Sequence, residues 1–183
     1  MVTADSPPDR GVWGPEPGDG AAVNAAWEAL RAVMDPEIPV LSVVDLGMIR
    51  GIDEIGGADG GRLRVRLSPT YSGCPATGLI ALEIVRALDA AGFAGAEVAM
   101  EVAPPWTTDW ISPAGLDRLR ESGIAPPPRG AGKRALAAPE ERAACPRCGS
   151  TDTAVISAFG STACKALHRC RSCLEPFDSF KCI

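Results

Sequence analysis

The chain has 183 residues, 46% hydrophobic and 22% charged, with a formal net charge of −5. That balance describes one or two small globular domains and runs against a nucleic-acid-binding surface. No apolar stretch reaches the roughly 18–20 residues of a membrane span. Residues 1–20 lack the basic start and apolar run of a secretory signal, so the expected compartment is cytoplasmic. Seven cysteines, six of them in the last 39 residues, then read as metal ligands before disulfides.

Residues 1–22, rich in Gly, Pro and acidic side chains, have no periodicity and are expected to form a disordered tail. Val23, Ala26, Trp27, Leu30, Val33 and Met34 fall at helical spacing, and the pre-proline Asp35 should stop that helix. After a loop, residues 48–55 and 62–67 alternate as strands. Leu63, Val65 and Leu67 face inward, Arg62, Arg64 and Arg66 face water, and the pair should form an antiparallel hairpin. A helix over 75–91 buries Ala81, Ile84, Val85 and Leu88 and stops at Gly92. Residues 97–102 read as a third strand, with Val98, Met100 and Val102 on one side. A last helix starts at the N-cap Ser112 with Pro113 behind it and stops at Gly123. The order α-β-β-α-β-α predicts an α+β fold: a small mixed three-stranded sheet with helices on one face. This domain spans 23–125, a Pro- then Gly-rich linker spans 126–143, and a small β zinc-ribbon-like module spans 144–183.

Within that module, Cys145-Pro146-Arg147-Cys148 and Cys170-Arg171-Ser172-Cys173 form two knuckles. Four thiolates from two such turns can surround one tetrahedral zinc, and Gly149 supplies the positive φ that the turn needs. The expected role of this zinc is to hold the module together. Cys164 and Cys182 are left over. They are either small buried thiols, a redox pair, or part of a second thiolate site for iron or an iron–sulfur cluster. Two thiols cannot complete such a site. Cys74, His168, a second chain or a client would have to contribute.

Cys74 lies just before the second helix, where the helix dipole and free N–H groups favour a thiolate. It is a candidate nucleophile or soft-metal ligand. With the one histidine in the other module it has no base to work with, and no residue is assigned a catalytic role. Asp35, Glu37 and Asp45 could approach the Cys74 loop, Asp45 rather than Glu37 being the preferred supporting residue, together with Thr70 and Trp106. Of Trp106 and Trp110, one should cap the core and the other present a partner surface.

Asp35-Pro36-Glu37-Ile38-Pro39, Asp45-Leu46-Gly47-Met48-Ile49, Thr70 with Gly73-Cys74-Pro75, and Pro105-Trp106-Thr107 resemble the SufT-type iron–sulfur-cluster-assembly domain. Outside residues 1–22, the chain further resembles the PaaD (PaaJ) family of phenylacetyl-CoA epoxidase subunits. That likeness runs through Pro105-Trp106-Thr107-Thr108-Asp109-Trp110-Ile111, the Cys145 knuckle, Cys164-Lys165-Ala166-Leu167 and Glu175-Pro176-Phe177-Asp178. It implies a non-catalytic accessory subunit in aerobic phenylacetate degradation, one that assembles iron–sulfur or iron sites on a partner. Cys74 matches the assembly domain's characteristic cysteine, and Cys164 and Cys182 match the ribbon pattern. The implied cofactors are zinc and a transient iron–sulfur cluster or iron. The implied partners are the oxygenase and reductase subunits, with a homodimer as a further candidate. The rival reading is a structural subunit that holds the oxygenase complex together.

Overall fold

The computed structural model describes residues 13–16, 19–56, 61–71, 73–130 and 143–181. Three helices, α1 (Ala21–Leu30), α2 (Thr77–Ala90) and α3 (Pro113–Glu121), accompany strands β1 (Ile49–Ile55), β2 (Arg62–Leu67) and β3 (Glu97–Met100) in the expected order. β1 pairs antiparallel with β2, and β3 lies parallel to β2 as the other edge. The strict alternation of β2 is realised: Leu63, Val65 and Leu67 are buried beneath the helices. They join Trp27, Leu30, Ile80, Ile84 and Leu88 in one core. Each such side chain contributes roughly 1.5–3 kcal/mol by leaving water.

α1 ends earlier than its apolar spacing predicts. It closes at Leu30, and residues 31–34 peel away to pair with the loop beyond. The N–H of Val43 donates to Val33 at 2.9 Å, that of Asp35 donates to Leu41 at 2.9 Å, and Met34 bridges Ser42. Met34 is therefore exposed rather than core. β3 is also shorter than expected. Val98 and Met100 stand opposite Val65 and Leu67, but at the sheet edge the helical cover thins, and Met100 and Val102 face solvent.

Trp13, within the segment read as a tail, is half-buried. Its indole N–H donates to the Trp110 carbonyl at 2.7 Å, and the Trp13 carbonyl accepts from the Arg31 guanidinium at 2.9 Å. A large ring against apolar surface offsets the ordering of a few residues. Residues 1–12, 17 and 18 of that expected tail, and most of the expected linker, 131–142, lie outside the described residues.

Both tryptophans of the 106–110 loop are buried within the chain, where one was expected at the surface. Trp106 donates to the Leu46 carbonyl at 2.9 Å, and Trp110 lies under the Arg50 guanidinium, 3.5 Å from ring centroid to Cζ. Gly47 makes this packing possible. Its φ is +65°, and any Cβ there would collide with the Trp110 carbonyl. Asp45 locks the same corner. It accepts from the Ser42 hydroxyl at 2.8 Å and the Ser112 hydroxyl at 3.0 Å and pairs with Arg118. Ser112 in turn caps α3 by accepting from the Gly115 N–H at 2.9 Å.

The C-terminal module is a sheet of β5 (Thr153–Ser157), β6 (Lys165–Cys170) and β7 (Pro176–Phe180). It is joined to the first domain by β4 (Ile124–Ala125), which leaves α3 and pairs parallel with β7. The Trp106 and Phe180 rings stand 6.0 Å apart, and both Phe180 and Cys164 belong to the first domain's core. The module thus sits directly against the domain instead of hanging from a tether.

Candidate functional site

Two groups of cysteines are built by different means. In the first, each knuckle presents two sulfurs from a turn. Cys145 and Cys173 sulfurs are 3.7 Å apart, those of Cys148 and Cys170 are 3.5 Å apart, and all four lie within 4.8 Å of one another. A metal about 2.3 Å from each of four sulfurs requires edges of roughly 3.8 Å, so the set fits a tetrahedral ion. The turns are shaped for it. Gly149 has φ +76° and donates its N–H to the Cys145 carbonyl at 2.8 Å, and the Cys173 N–H points at the Cys170 sulfur at 3.4 Å. After Cys173 the equivalent position is Leu174, held at φ +65°. A leucine in the left-handed region costs about 1–2 kcal/mol, which the second knuckle imposes. Arg147 with Glu175 (2.8 Å) and Ser150 with Ser172 (2.8 Å) pin the two turns to each other.

Crowded sulfurs split their proton affinities. N–H groups of Cys173 and then Ser172 favour the Cys170 thiolate and bring its pKa down to about 6. At Cys148 the Ser150 N–H also favours the thiolate, but the sulfurs of Cys170, Cys173 and Cys145 push the value up to about 12. A cation at the centre removes this conflict by taking up all four thiolates. His168 plays no part among the ligands. It is buried and stacks on Phe177 at 5.5 Å.

The second group forms where the modules meet. Asp35 begins it: one carboxylate oxygen accepts from the N–H groups of Glu37 (2.8 Å) and Ile38 (2.9 Å), which fixes the turn after Pro36. The Glu37 carboxylate then stands 3.9 Å from the Cys74 sulfur. Cys74 itself is held by a turn, its N–H donating to Tyr71 at 3.0 Å and its carbonyl accepting from the Thr77 hydroxyl at 3.0 Å. In the C-terminal module Cys164 is buried in the first domain's core, its sulfur 3.2 Å from the Thr162 hydroxyl. The chain neighbour Lys165 is buried as well and pairs with Asp178 at 3.7 Å.

The expected low-pKa thiolate at Cys74 is not what this arrangement produces. Burial raises the Cys74 pKa first of all. The Ala76 N–H opposes that, but the Glu37 and Asp35 carboxylates raise it further. The sulfur sits two residues before the helix cap Ala76, too far back to collect the helix's N–H groups. Cys164 is raised likewise, by burial and by the same two carboxylates, against the Thr162 hydroxyl and Lys165. Glu37, judged from sequence less suited to the site than Asp45, is the carboxylate that reaches Cys74. Asp45 has its oxygens taken up by Ser42, Ser112 and Arg118. Thr70 is buried, Trp106 is buried in the core against the Leu46 carbonyl and the Phe180 ring, and Cys182 lies outside the described residues. The sequence placed Asp35 near the Cys74 loop together with Glu37 and Asp45, but not its bonds to the N–H groups of Glu37 and Ile38. Its role in orienting Glu37 depends on the peeled-off residues after α1.

Removing the Glu37 charge should therefore favour the Cys74 thiolate. In the metal-loaded chain, Glu37→Gln is expected to move the pH midpoint for iodoacetamide alkylation of Cys74 downward and to speed the reaction near neutrality. Peptide mass mapping of residue 74 checks this, and an unchanged midpoint would refute the contact.

Comparison with known proteins bears on both groups. Residues 129–181 match the PaaD zinc beta ribbon domain, and residues 24–100 match a family described as iron–sulfur cluster assembly protein. A protein of Escherichia coli (strain K12), provisionally named as one of the subunits of 1,2-phenylacetyl-CoA epoxidase, is 49% identical over 161 residues, which is 88% of this chain and 93% of that protein. The chain belongs to the PaaD family. Solved structures similar to this PaaD-family chain cover part of it. A domain of unknown function from Bacillus anthracis is 25% identical, with a TM-score of 0.47, over 54% of this chain and 92% of that one. A protein from Mycobacterium tuberculosis associated with Fe–S complex assembly and repair is 31% identical, with a TM-score of 0.36, over 62% of this chain and 97% of that one. Among the described residues, no helix of the PaaD-family chain is long and apolar enough to cross a membrane.

Proposed function

We propose that this PaaD-family chain is an accessory subunit of a phenylacetyl-CoA epoxidase system, acting in the assembly or delivery of iron–sulfur clusters or iron to the oxygenase and reductase components. The observation that carries this reading is the contact of the Cys74 sulfur with Glu37, 3.9 Å apart, inside the segment that matches iron–sulfur cluster assembly proteins. A thiol beside a carboxylate is a ligand pair for a soft-to-borderline cation. It lacks the four sulfurs that would make binding permanent, and cargo must be released. The Cys145, Cys148, Cys170 and Cys173 set, by contrast, offers the closed four-thiolate geometry of a structural zinc. In this reading zinc fixes the ribbon, and the ribbon docks against the assembly domain.

The test is in cells. A strain lacking the chain is complemented with wild type or Cys74→Ser, and the reductase cluster and oxygenase iron are quantified after anaerobic purification. Wild-type complementation should restore both, and Cys74→Ser should leave the client metal content near that of the deletion strain. Full loading with Cys74→Ser would exclude the assigned role.

A further inference from the structure

The C-terminal sheet has an open edge. Its order is β4-β7-β6-β5, so among the described residues β5 pairs with β6 on one side only. An edge of this kind presents N–H and C=O groups to any extended chain, and proteins commonly blunt it with charge or proline. Thr153-Ala154-Val155-Ile156-Ser157 carries neither. Thr153 is covered, its hydroxyl donating to the Ala143 carbonyl at 2.9 Å, so the open stretch is residues 154–157. A bulge between Val155 and Ser157 bends the strand without hiding its apolar surface. Two consecutive apolar side chains face water there, Val155 at 41% and Ile156 at 54% exposure, and Phe159 follows at 71%.

Charge says what this edge receives. Every acid among the described residues of the ribbon is held by a cation: Glu175 by Arg147 at 2.8 Å, Asp152 by Arg171 at 3.6 Å and Asp178 by Lys165 at 3.7 Å. Arg169 and Lys181 have no carboxylate partner among those residues. Arg169 is exposed and stands in register with Ala154, at the start of the open stretch. Lys181 lies 4.1 Å over the Phe159 ring, just past its end. The two cations thus bracket an apolar edge over roughly 16 Å of extended chain. We propose that the free edge of β5 receives an extended segment of a partner protein, apolar in its middle and acidic at both ends, by strand addition. Backbone hydrogen bonds to β5 hold the segment, Val155, Ile156 and Phe159 cover its centre, and Arg169 and Lys181 select its acids. A second copy of this chain fits less well, because its own β5 brings no carboxylate to Arg169. A nucleic acid supplies anions but not the amide groups with which a strand edge pairs. The inference goes beyond the delivery reading and does not depend on it, since none of these residues belongs to the Cys74 group or to the four-cysteine cluster.

The experiment uses the full chain, loaded with zinc, and two fluorescent synthetic peptides. Both have a Val-Thr-Val-Thr-Val centre; one carries two Glu at each end, the other two Lys. Anisotropy gives the affinities, and hydrogen exchange reports which backbone amides become protected. The Glu-ended peptide should bind, slow exchange across residues 154–157, and weaken as salt is raised. The Lys-ended peptide should bind at least about 10-fold more weakly. Ile156→Lys, a change at an exposed position, should cost at least about 10-fold for the Glu-ended peptide. Unchanged protection of β6 in that variant shows that the ribbon is still folded. Arg169→Glu should narrow or reverse the preference between the two peptides. No binding of the Glu-ended peptide, equal binding of both, or binding without protection of β5 overturns the proposal. Protection of β5 that rises with the concentration of the chain alone would assign the edge to a second copy and overturn it too. So would a single-stranded oligothymidylate that displaces the Glu-ended peptide and binds more tightly.

Discussion

Stripping the metal from the Cys145, Cys148, Cys170 and Cys173 cluster should unfold the C-terminal module while leaving most of the first domain intact. The core that would remain to it is small: Ala125, Cys145, Cys170 and Phe177, with Ala143 at the edge. A segment of this size rarely folds on so few apolar residues. Structural zinc in comparable small modules contributes on the order of 10–16 kcal/mol, far more than four such side chains supply. Hydrogen exchange on the chain before and after treatment with a strong chelator measures this. Protection in β5, β6 and β7 should collapse, and protection in β2 and α2 should persist. Cys145→Ser should reproduce the collapse without a chelator. Persistent protection of β6 in the metal-free chain would show that the metal is not what folds the ribbon.

The second large effect is expected at Asp45. Its carboxylate satisfies two buried hydroxyls, Ser42 and Ser112, and also holds Arg118, whose side chain is 49% exposed. That exposure discounts the ion pair to a fraction of a kcal/mol. The hydroxyl bonds to a charged acceptor and the indirect weakening of the α3 cap remain, and together they amount to about 2–4 kcal/mol. Asp45→Ala should lower the urea midpoint by roughly 1–2 M, given slopes of about 1–3 kcal/mol per M. Asp45→Asn, which keeps an acceptor, should lose less. If the alanine variant loses under about 0.5 kcal/mol, the corner is not held by this residue.

Periodicity made the core legible. Alternation in Arg62–Leu67 placed every residue of β2 correctly, because a half-buried strand has a fixed period of two. Ser112, Pro113 and Gly123 marked both ends of α3 by local chemistry alone. The knuckle spacing pointed to the four-cysteine cluster for the same reason: the sulfurs are brought together by short turns. The junction was less legible, because it depends on tertiary pairing. Nothing in the spacing from Glu37 to Cys74 says that the two meet. The inversion of Glu37 and Asp45 came from backbone hydrogen bonds. Asp35 accepts from the two N–H groups after it and turns Glu37 toward the sulfur, whereas Asp45 is consumed by hydroxyls 3 and 67 positions away. Trp106 and Trp110 misled in the same way. Their proline-bounded loop looked like a surface, but Gly47 lets the backbone close over them.

The parallel pairing of Ile124–Ala125 with Pro176–Phe180 means that the chain's last strand returns to lie beside the point where it left the first domain. Cutting the polypeptide after residue 125 would therefore uncover one flank of Trp106 and leave a two-residue strand with no neighbour. The released C-terminal piece would carry Phe180 and the Cys164 thiol into water. The halves are expected to be poorer folders apart than together, so ligand measurements made on either fragment would describe a damaged molecule.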